Sequence, residues 1–214
     1  MNSHQFLEIL KNAGGYISNS HIVGTSGKHI DSYMNKDAIY PHTAAISQVC
    51  RAMAEPYVKD GIEAVVAPAL GGIVLSQWVA HHLSEMTGKD VLAIYTEKTP
   101  EKDQILTRGY DKLVAGKKVL IVEDILTTGG SVIKVVNSVK KAGGEIVAVS
   151  VMVNRNPAVV TAELVGAPLT ALASLTLPAW DEADCPMCKQ GMEINVTVGK
   201  GREYLAARKA AKSS

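Results

Sequence analysis

The chain has almost no net charge, few cysteines and no uninterrupted apolar run of membrane length, and each shortage removes a class of function. Its 22 lysines and arginines stand against 21 acids, a formal net charge of +1. There is therefore no basic field for nucleic acid and no acidic excess of the kind that keeps a chain unfolded. The three cysteines are an odd number, two of them in Cys185-Pro-Met-Cys188, and no basic, apolar, small-residue leader opens the sequence. A cytoplasmic, reducing setting is expected. Residues 64–80 carry no formal charge, but Pro68 and Gly71-Gly72 interrupt them, so no membrane partner is expected. Neither the glycine-lysine P-loop pattern nor Gly-x-Gly-x-x-Gly occurs, which argues against an NTPase or a dinucleotide enzyme. No repeat, low-complexity tract or linker divides the 214 residues. They are read as one unit, 1–214: an N-terminal helix, hairpin and helix (1–60), an α/β core (61–177), and a cysteine-containing lobe and tail (178–214).

What is present is alternation of strand and helix. Residues 3–13 have a helical apolar face, with Ser3 read as N-cap and Gly14-Gly15 as the stop. Short β-prone runs at 16–23 and 30–36 flank a Gly24-Thr25-Ser26-Gly27-Lys28 turn. Pro41 opens a helix running to Asp60-Gly61, with Cys50 on its apolar face. Strands are then expected at 63–67, 91–96, 119–122, 146–153 and 169–177. Helices are expected at 72–86, 131–142 and from Asn156-Pro157 to Val165. Strands separated by helices imply parallel neighbours joined by right-handed crossovers, hence an open, mostly parallel α/β sheet with helices on both faces and a small hood from the two ends of the chain. The segment 180–191 reads as an irregular lobe, and 201–214 as a surface helix with a solvated basic face.

The densest stretch is residues 119–131, V-L-I-V-E-D-I-L-T-T-G-G-S. Four apolar residues of a buried strand stop at Glu123 and Asp124, and Thr127, Thr128, Gly129, Gly130 and Ser131 lead into a helical pattern. Glycines allow close backbone approach and the first N–H groups of a helix lack internal partners, so the loop suits a phosphate. The two carboxylates repel phosphate and suit hydroxyls or a metal ion. The ligand class that satisfies both is a phosphorylated sugar. A second strand-loop-helix junction, Ala69-Leu70-Gly71-Gly72, belongs on the same crevice if its strand is parallel. The polar segment from Glu97 through Lys98 and Lys102 to Arg108 reads as a lid or mobile connector whose cations can meet developing negative charge. Arg155, after the strand ending at Val153-Asn154, carries a planar fork suited to a carboxylate or heterocycle.

No residue is assigned to a protein-held metal. Cys185 and Cys188 supply half of a tetrahedral set. His21, His29 and His42 have no cysteine or carboxylate partner at ligand spacing, and adjacent His81 and His82 do not share a helical face.

The sequence E-D-I-L-T-T-G-G-S resembles the phosphoribosyl pyrophosphate (PRPP) signature of type I phosphoribosyltransferases. Added to it, Ser26-Gly27-Lys28-His29, Tyr33, Lys36, residues 68–73, Glu97-Lys98, Arg108-Gly109-Tyr110 and Asn154-Arg155 are similar to orotate phosphoribosyltransferases over most of residues 20–160. The resemblance implies Mg²⁺-dependent transfer from PRPP to orotate. Glu123 and Asp124 would hold the ribose hydroxyls, and residues 127–131 the 5′-phosphate. Ala69, Leu70, Gly71 and Gly72 would hold the pyrophosphate, with Lys98 and Lys102 assisting its departure. Arg155, Lys36 and Thr127 would lie on the orotate side. It also implies a homodimer. The chain departs from the pattern at Thr25, where many such enzymes carry lysine, and in a lid segment without histidine. The cysteine lobe resembles an extension of some orotate enzymes. A purine acceptor, or a sensor that binds PRPP without turnover, remains an alternative reading.

Overall fold

A computed structural model of the chain describes residues 1–24 and 26–212. In chain order the elements are α1 (Ser3–Asn12), β1 (Tyr16–Ile17), β2 (Ile22–Val23), β3 (His29–Ile30), β4 (Tyr33–Met34), α2 (Thr43–Ala54), β5 (Ala64–Pro68), α3 (Gly71–Thr87), β6 (Leu92–Lys98), β7 (Gln104–Ile105) and α4 (Tyr110–Val114). They continue with β8 (Lys118–Leu126), α5 (Gly130–Lys141), β9 (Glu145–Asn154), α6 (Ala162–Val165), β10 (Leu169–Ser174), β11 (Ala179–Trp180), α7 (Pro186–Lys189) and α8 (Gly201–Lys212).

The central strands are apolar on both sides because both sides are covered. Val65, Ala67, Leu120 and Val122 face a core built with Leu10, Ile46, Val49, Leu75 and Val79 of α1, α2 and α3. Their alternating neighbours Ala64, Val66, Val119 and Ile121 face Val132, Val135, Val136 and Val139 of α5. Strand order is β10-β9-β8-β5-β6-β7, parallel except for β7, which returns antiparallel against β6. This is the open, mostly parallel sheet with helices on both faces that the alternation predicts. Among the described residues no helix is long and apolar enough to cross a membrane.

The hood is a second layer of short strands. β1 pairs with β4, while β11, β3 and β2 form an antiparallel sheet that joins residues near the two ends of the chain. Thr25, in the expected 24–28 turn, lies outside the described residues, as do 213 and 214 of the expected tail helix.

Several boundaries differ from expectation for identifiable reasons. Asn2, not Ser3, caps α1, because its side chain accepts from Gln5 N–H while the Gln5 side chain accepts from Asn2 N–H. β8 does not stop at Val122. It continues through both acids to Leu126, since Glu123 and Ile125 still pair with Val151 and Val153 of β9. The helix expected from Asn156 is absent. The Asn154 amide donates to Val160 O and accepts from Asn156 N–H, folding that stretch as a turn, and only the four residues of α6 are helical, capped by Thr161. The helix after Pro41 ends at Ala54 and gives way to a 3₁₀ turn over Glu55–Tyr57. Cys50 is buried in the core as expected, and burial pushes its thiol pKa up.

Candidate active site

Strand periodicity places the acid pair. Adjacent residues of β8 point to opposite faces of the sheet, so Glu123 and Asp124 enter the crevice at the strand's C-terminal end from different sides. Glu123 shares a small cavity of about 160 Å³ with residues 125–132. Gly129 sits at φ +76°, a left-handed conformation that glycine adopts without strain, and it turns the chain into α5. Two wider hollows, of about 690 and 630 Å³, lie over α1 and α2. Neither touches the acids or a glycine loop, so the smaller cavity is the chemically equipped one.

Asp124 faces the other way, toward the start of α3. Its Oδ2 accepts from Lys36 Nζ at 2.5 Å and from Tyr40 OH at 3.0 Å. A Cβ on Gly71 would stand 2.6 Å from the same oxygen and 3.0 Å from Lys36 Nζ, and one on Gly72 would stand 2.7 Å from the Ala67 side chain. A side chain at either position would have to displace these neighbours, and the contact brings the Ala69–Gly72 loop against Asp124. The Ala69–Leu70 peptide is cis and Leu70 is exposed.

The electrostatics follow from burial. Glu123 and Asp124 are only 7% and 5% exposed. Desolvation, then the neighbouring Asp124 charge, push the Glu123 carboxyl up to about 8. Burial pulls the Lys36 ammonium down, but its hydrogen bond and attraction to Asp124, helped by Asp37 and Glu123, outweigh this and raise its pKa. Tyr40 is likewise raised, by burial first and Asp124 second, so its hydroxyl stays a donor. The site holds one compensated and one poorly compensated carboxylate.

The polar segment expected as a lid is an ordered hairpin. β6 and β7 pair Lys98 with Gln104, and Lys102 occupies a left-handed position, φ +64°, in the connecting turn. Lys98 and Lys102 have exposed side chains, and the Lys102 carbonyl accepts from Lys134 Nζ of α5. Arg108 is committed to Glu97, donating to its Oε1 from Nε at 2.9 Å and from Nη2 at 2.7 Å. It is not aimed as a free cation. Arg155 N–H donates to Leu126 O, which places the residue beside the start of the Thr/Gly loop. Its buried Nε has no partner among the described residues, so the guanidinium retains donor capacity for a ligand.

A model of the phosphoribosyl transferase domain matches residues 35–160. The chain belongs to the phosphoribosyltransferase family. The orotate phosphoribosyltransferase of Desulforamulus reducens is 34% identical over 192 residues, covering 90% of this chain and 94% of that protein. The orotate phosphoribosyltransferase of Caldicellulosiruptor saccharolyticus is 33% identical over 196 residues, covering 91% and 95%. Among solved structures, the Mycobacterium tuberculosis orotate phosphoribosyltransferase in complex with PRPP shares the fold of this phosphoribosyltransferase, with TM-score 0.62, 24% identity and coverage of 81% and 96%.

The structure thus brings together Glu123, Asp124, both glycine loops, Lys36 and the backbone of Arg155, and holds Lys98 and Lys102 on the hairpin beside α5. Sequence reasoning missed Tyr40. No spacing marks a tyrosine whose carboxylate partner lies in a distant strand. It also left His21 and His29 without cysteine partners, which the fold corrects, because the β11–β3 pairing carries the cysteine lobe to them. His81 and His82 do approach a common Glu85, but His82 uses Nε2 on Ser47 and Nδ1 on Glu85, a packing role.

Proposed function

We propose that this phosphoribosyltransferase transfers the 5-phosphoribosyl group of PRPP to a ring nitrogen of orotate, giving orotidine 5′-phosphate and pyrophosphate in pyrimidine nucleotide synthesis. The observation that carries the reading is the buried acid pair on β8 running directly into the Thr/Gly loop and α5. It is seated against a second glycine loop in a chain whose similarity to orotate enzymes extends over nine-tenths of its length.

Breaking the bond at the anomeric carbon leaves a cation-like ribose, so the chain's task is positional and electrostatic. Residues 127–131 take the 5′-phosphate, each charged hydrogen bond contributing about 1.5–3 kcal/mol. Glu123 and Asp124 take the ribose hydroxyls. The emerging positive charge draws Glu123 back to its ionised form, relieving the desolvation that raises it in the free protein. Ala69, Leu70, Gly71 and Gly72 receive the pyrophosphate, with Lys98 and Lys102 supplied by the hairpin. Arg155 and Lys36 face the anionic base, and Thr127 borders it. Lys36 also holds Asp124, which couples the acceptor side to the ribose side.

The carboxylate donors fit Mg²⁺, a hard cation that keeps water and substrate oxygens as ligands. Glu123 and Asp124 would hold it beside the ribose, where it would supply neutralising charge for the pyrophosphate leaving group. We further propose a homodimer working in the cytoplasm, where free thiols persist. Sedimentation of the purified chain checks the first part.

The test offers the protein PRPP and Mg²⁺ with orotate, uracil, adenine, hypoxanthine or xanthine. Orotate is expected to be consumed with release of pyrophosphate. Turnover of a purine alone replaces the acceptor assignment, and PRPP binding without turnover of any base replaces the catalytic one.

A further inference from the structure

Four metal-ligating side chains that the mechanism does not use converge in the hood. His21 Nε2 lies 2.7 Å from His29 Nδ1, 3.7 Å from Cys185 Sγ and 3.6 Å from Cys188 Sγ, and Cys188 Sγ lies 3.3 Å from His29 Nδ1. All four ligand atoms fall within 4.8 Å of one another. His21, His29 and Cys185 are buried, at 2%, 0% and 0% exposure.

As a network of hydrogen bonds the cluster is poorly satisfied. His21 Nδ1 sits 2.7 Å from Met192 O. A carbonyl only accepts, so that nitrogen carries the proton and Nε2 presents a lone pair inward. One lone pair then faces three neighbours able to donate: the second imidazole and two thiols. His29 Nε2, also buried, has no partner among the described residues. A dication at the centre resolves the crowding of donors on the His21 lone pair by replacing shared protons with four coordinate bonds, with His29 ligating through Nδ1 and keeping its proton on Nε2.

The metric agrees. With metal–nitrogen bonds of about 2.0–2.1 Å and metal–sulfur bonds of about 2.3 Å, the nitrogen–sulfur edge of a tetrahedral zinc site is about 3.5 Å. The three nitrogen–sulfur separations of 3.3, 3.6 and 3.7 Å bracket it. The imidazoles, at 2.7 Å, need to part by about 0.6–0.7 Å to reach a nitrogen–nitrogen edge. The Met192 carbonyl provides the second hydrogen bond that orients ligating histidines. Cys185 heads the turn, its sulfur accepting from Cys188 N–H at 3.5 Å, and Gly191 closes it at φ +66°.

We propose that His21, His29, Cys185 and Cys188 form a structural zinc site. Four protein ligands close the coordination sphere, so the ion binds no substrate. Binding displaces one proton from each thiol, and the two thiolates neutralise the dication with no change of oxidation state. The site clamps the β2–β3 hairpin to the C-terminal lobe, in line with the β3–β11 pairing and the Lys28–Asp181 ion pair. Because β3 leads through β4 to Lys36, the clamp also steadies the segment that holds Asp124.

The full chain, purified under reducing conditions and dialysed, is expected to retain about one zinc per chain by elemental analysis. Cobalt substitution is expected to give tetrahedral d–d bands and a thiolate charge-transfer band. Cys188→Ser should weaken retention by at least roughly a hundredfold in chelator competition, using the outer-ligand losses as a floor. His29→Cys, which preserves four ligands, should still bind zinc where His29→Ala does not. Stripping zinc should lower Tm by several degrees, with recovery on adding zinc but not magnesium. A folded chain that takes up no zinc when it is supplied, or a Cys185–Cys188 disulfide that persists under reductant, overturns the proposal.

Discussion

Replacing Glu123 by Gln is expected to make the protein more stable in alkaline buffer and less active. The amide keeps the shape and can still accept the 3.0 Å hydrogen bond from Asp124 N–H, but it cannot ionise. In the folded wild type, burial and Asp124 raise the Glu123 carboxyl from 4.5 to about 8. The folded state therefore holds a proton that the unfolded state releases. Glu123's stabilising contribution is fully present below about pH 4.5 and is lost as pH rises to about 8. At about 1.4 kcal/mol per pH unit, the whole interval corresponds to roughly 5 kcal/mol. Relaxation and water entering the cavity that Glu123 lines offset part of this, so about 2 kcal/mol is the expected gain for the variant above pH 8, or roughly 4–8 °C in Tm for a chain of this size. Thermal unfolding of both proteins at about pH 4 and pH 8.5, without ligand, reads the difference directly. At the acid end the two should melt together. An equal offset at both pH values, or a variant less stable at the alkaline end, refutes the electrostatic account. The same variant should lose roughly ten- to a hundredfold in turnover, since a neutral amide offers less to a cation-like ribose. A residue whose removal stabilises the protein while impairing it marks strain kept for function.

Lys36→Met removes the ammonium that compensates Asp124. Discounted for the lysine's partial exposure, the loss is about 1–2 kcal/mol, and a Tm drop of a few degrees by calorimetry checks it. Gly71→Ala should leave the helix intact, because alanine favours it, yet the added Cβ 2.6 Å from Asp124 Oδ2 must displace the carboxylate. A fall of about a hundredfold in kcat is the expected result, with a Tm drop of a few degrees because the displaced carboxylate loses Lys36 and Tyr40. Arg155→Lys keeps the charge and loses the fork. The KM for orotate should rise roughly tenfold or more while that for PRPP is unaltered, as followed by orotate absorbance.

Much of this architecture was legible in the sequence because its core is written in runs. The strand at 119–122 and the valines of α5 are apolar in the periods their layers require, and the loops between strand and helix announce themselves by glycine. The strand's continuation through Glu123 and Asp124 was hidden. Hydrophobic pattern ends at a charge, whereas backbone pairing with Val151 and Val153 does not. The Asn2 cap had a readable signal in Gln5, three residues on. The turn at 156–160 had none, since it depends on Asn154 bonding locally in place of helix. Tyr40 and the His/Cys cluster are tertiary facts: their partners lie in remote segments, and only strand pairing decides that they meet.

The Lys134–Lys102 hydrogen bond ties two segments together. Lys134 stands one turn into α5, whose first residues close the Thr/Gly loop, and it tethers the tip of the β6–β7 hairpin through a backbone carbonyl. One helix thus connects that loop, at its head, with the hairpin carrying Lys98 and Lys102, along its flank. If the loop takes a phosphate as proposed, the hairpin that carries Lys98 and Lys102 is moored to the same helix that receives it.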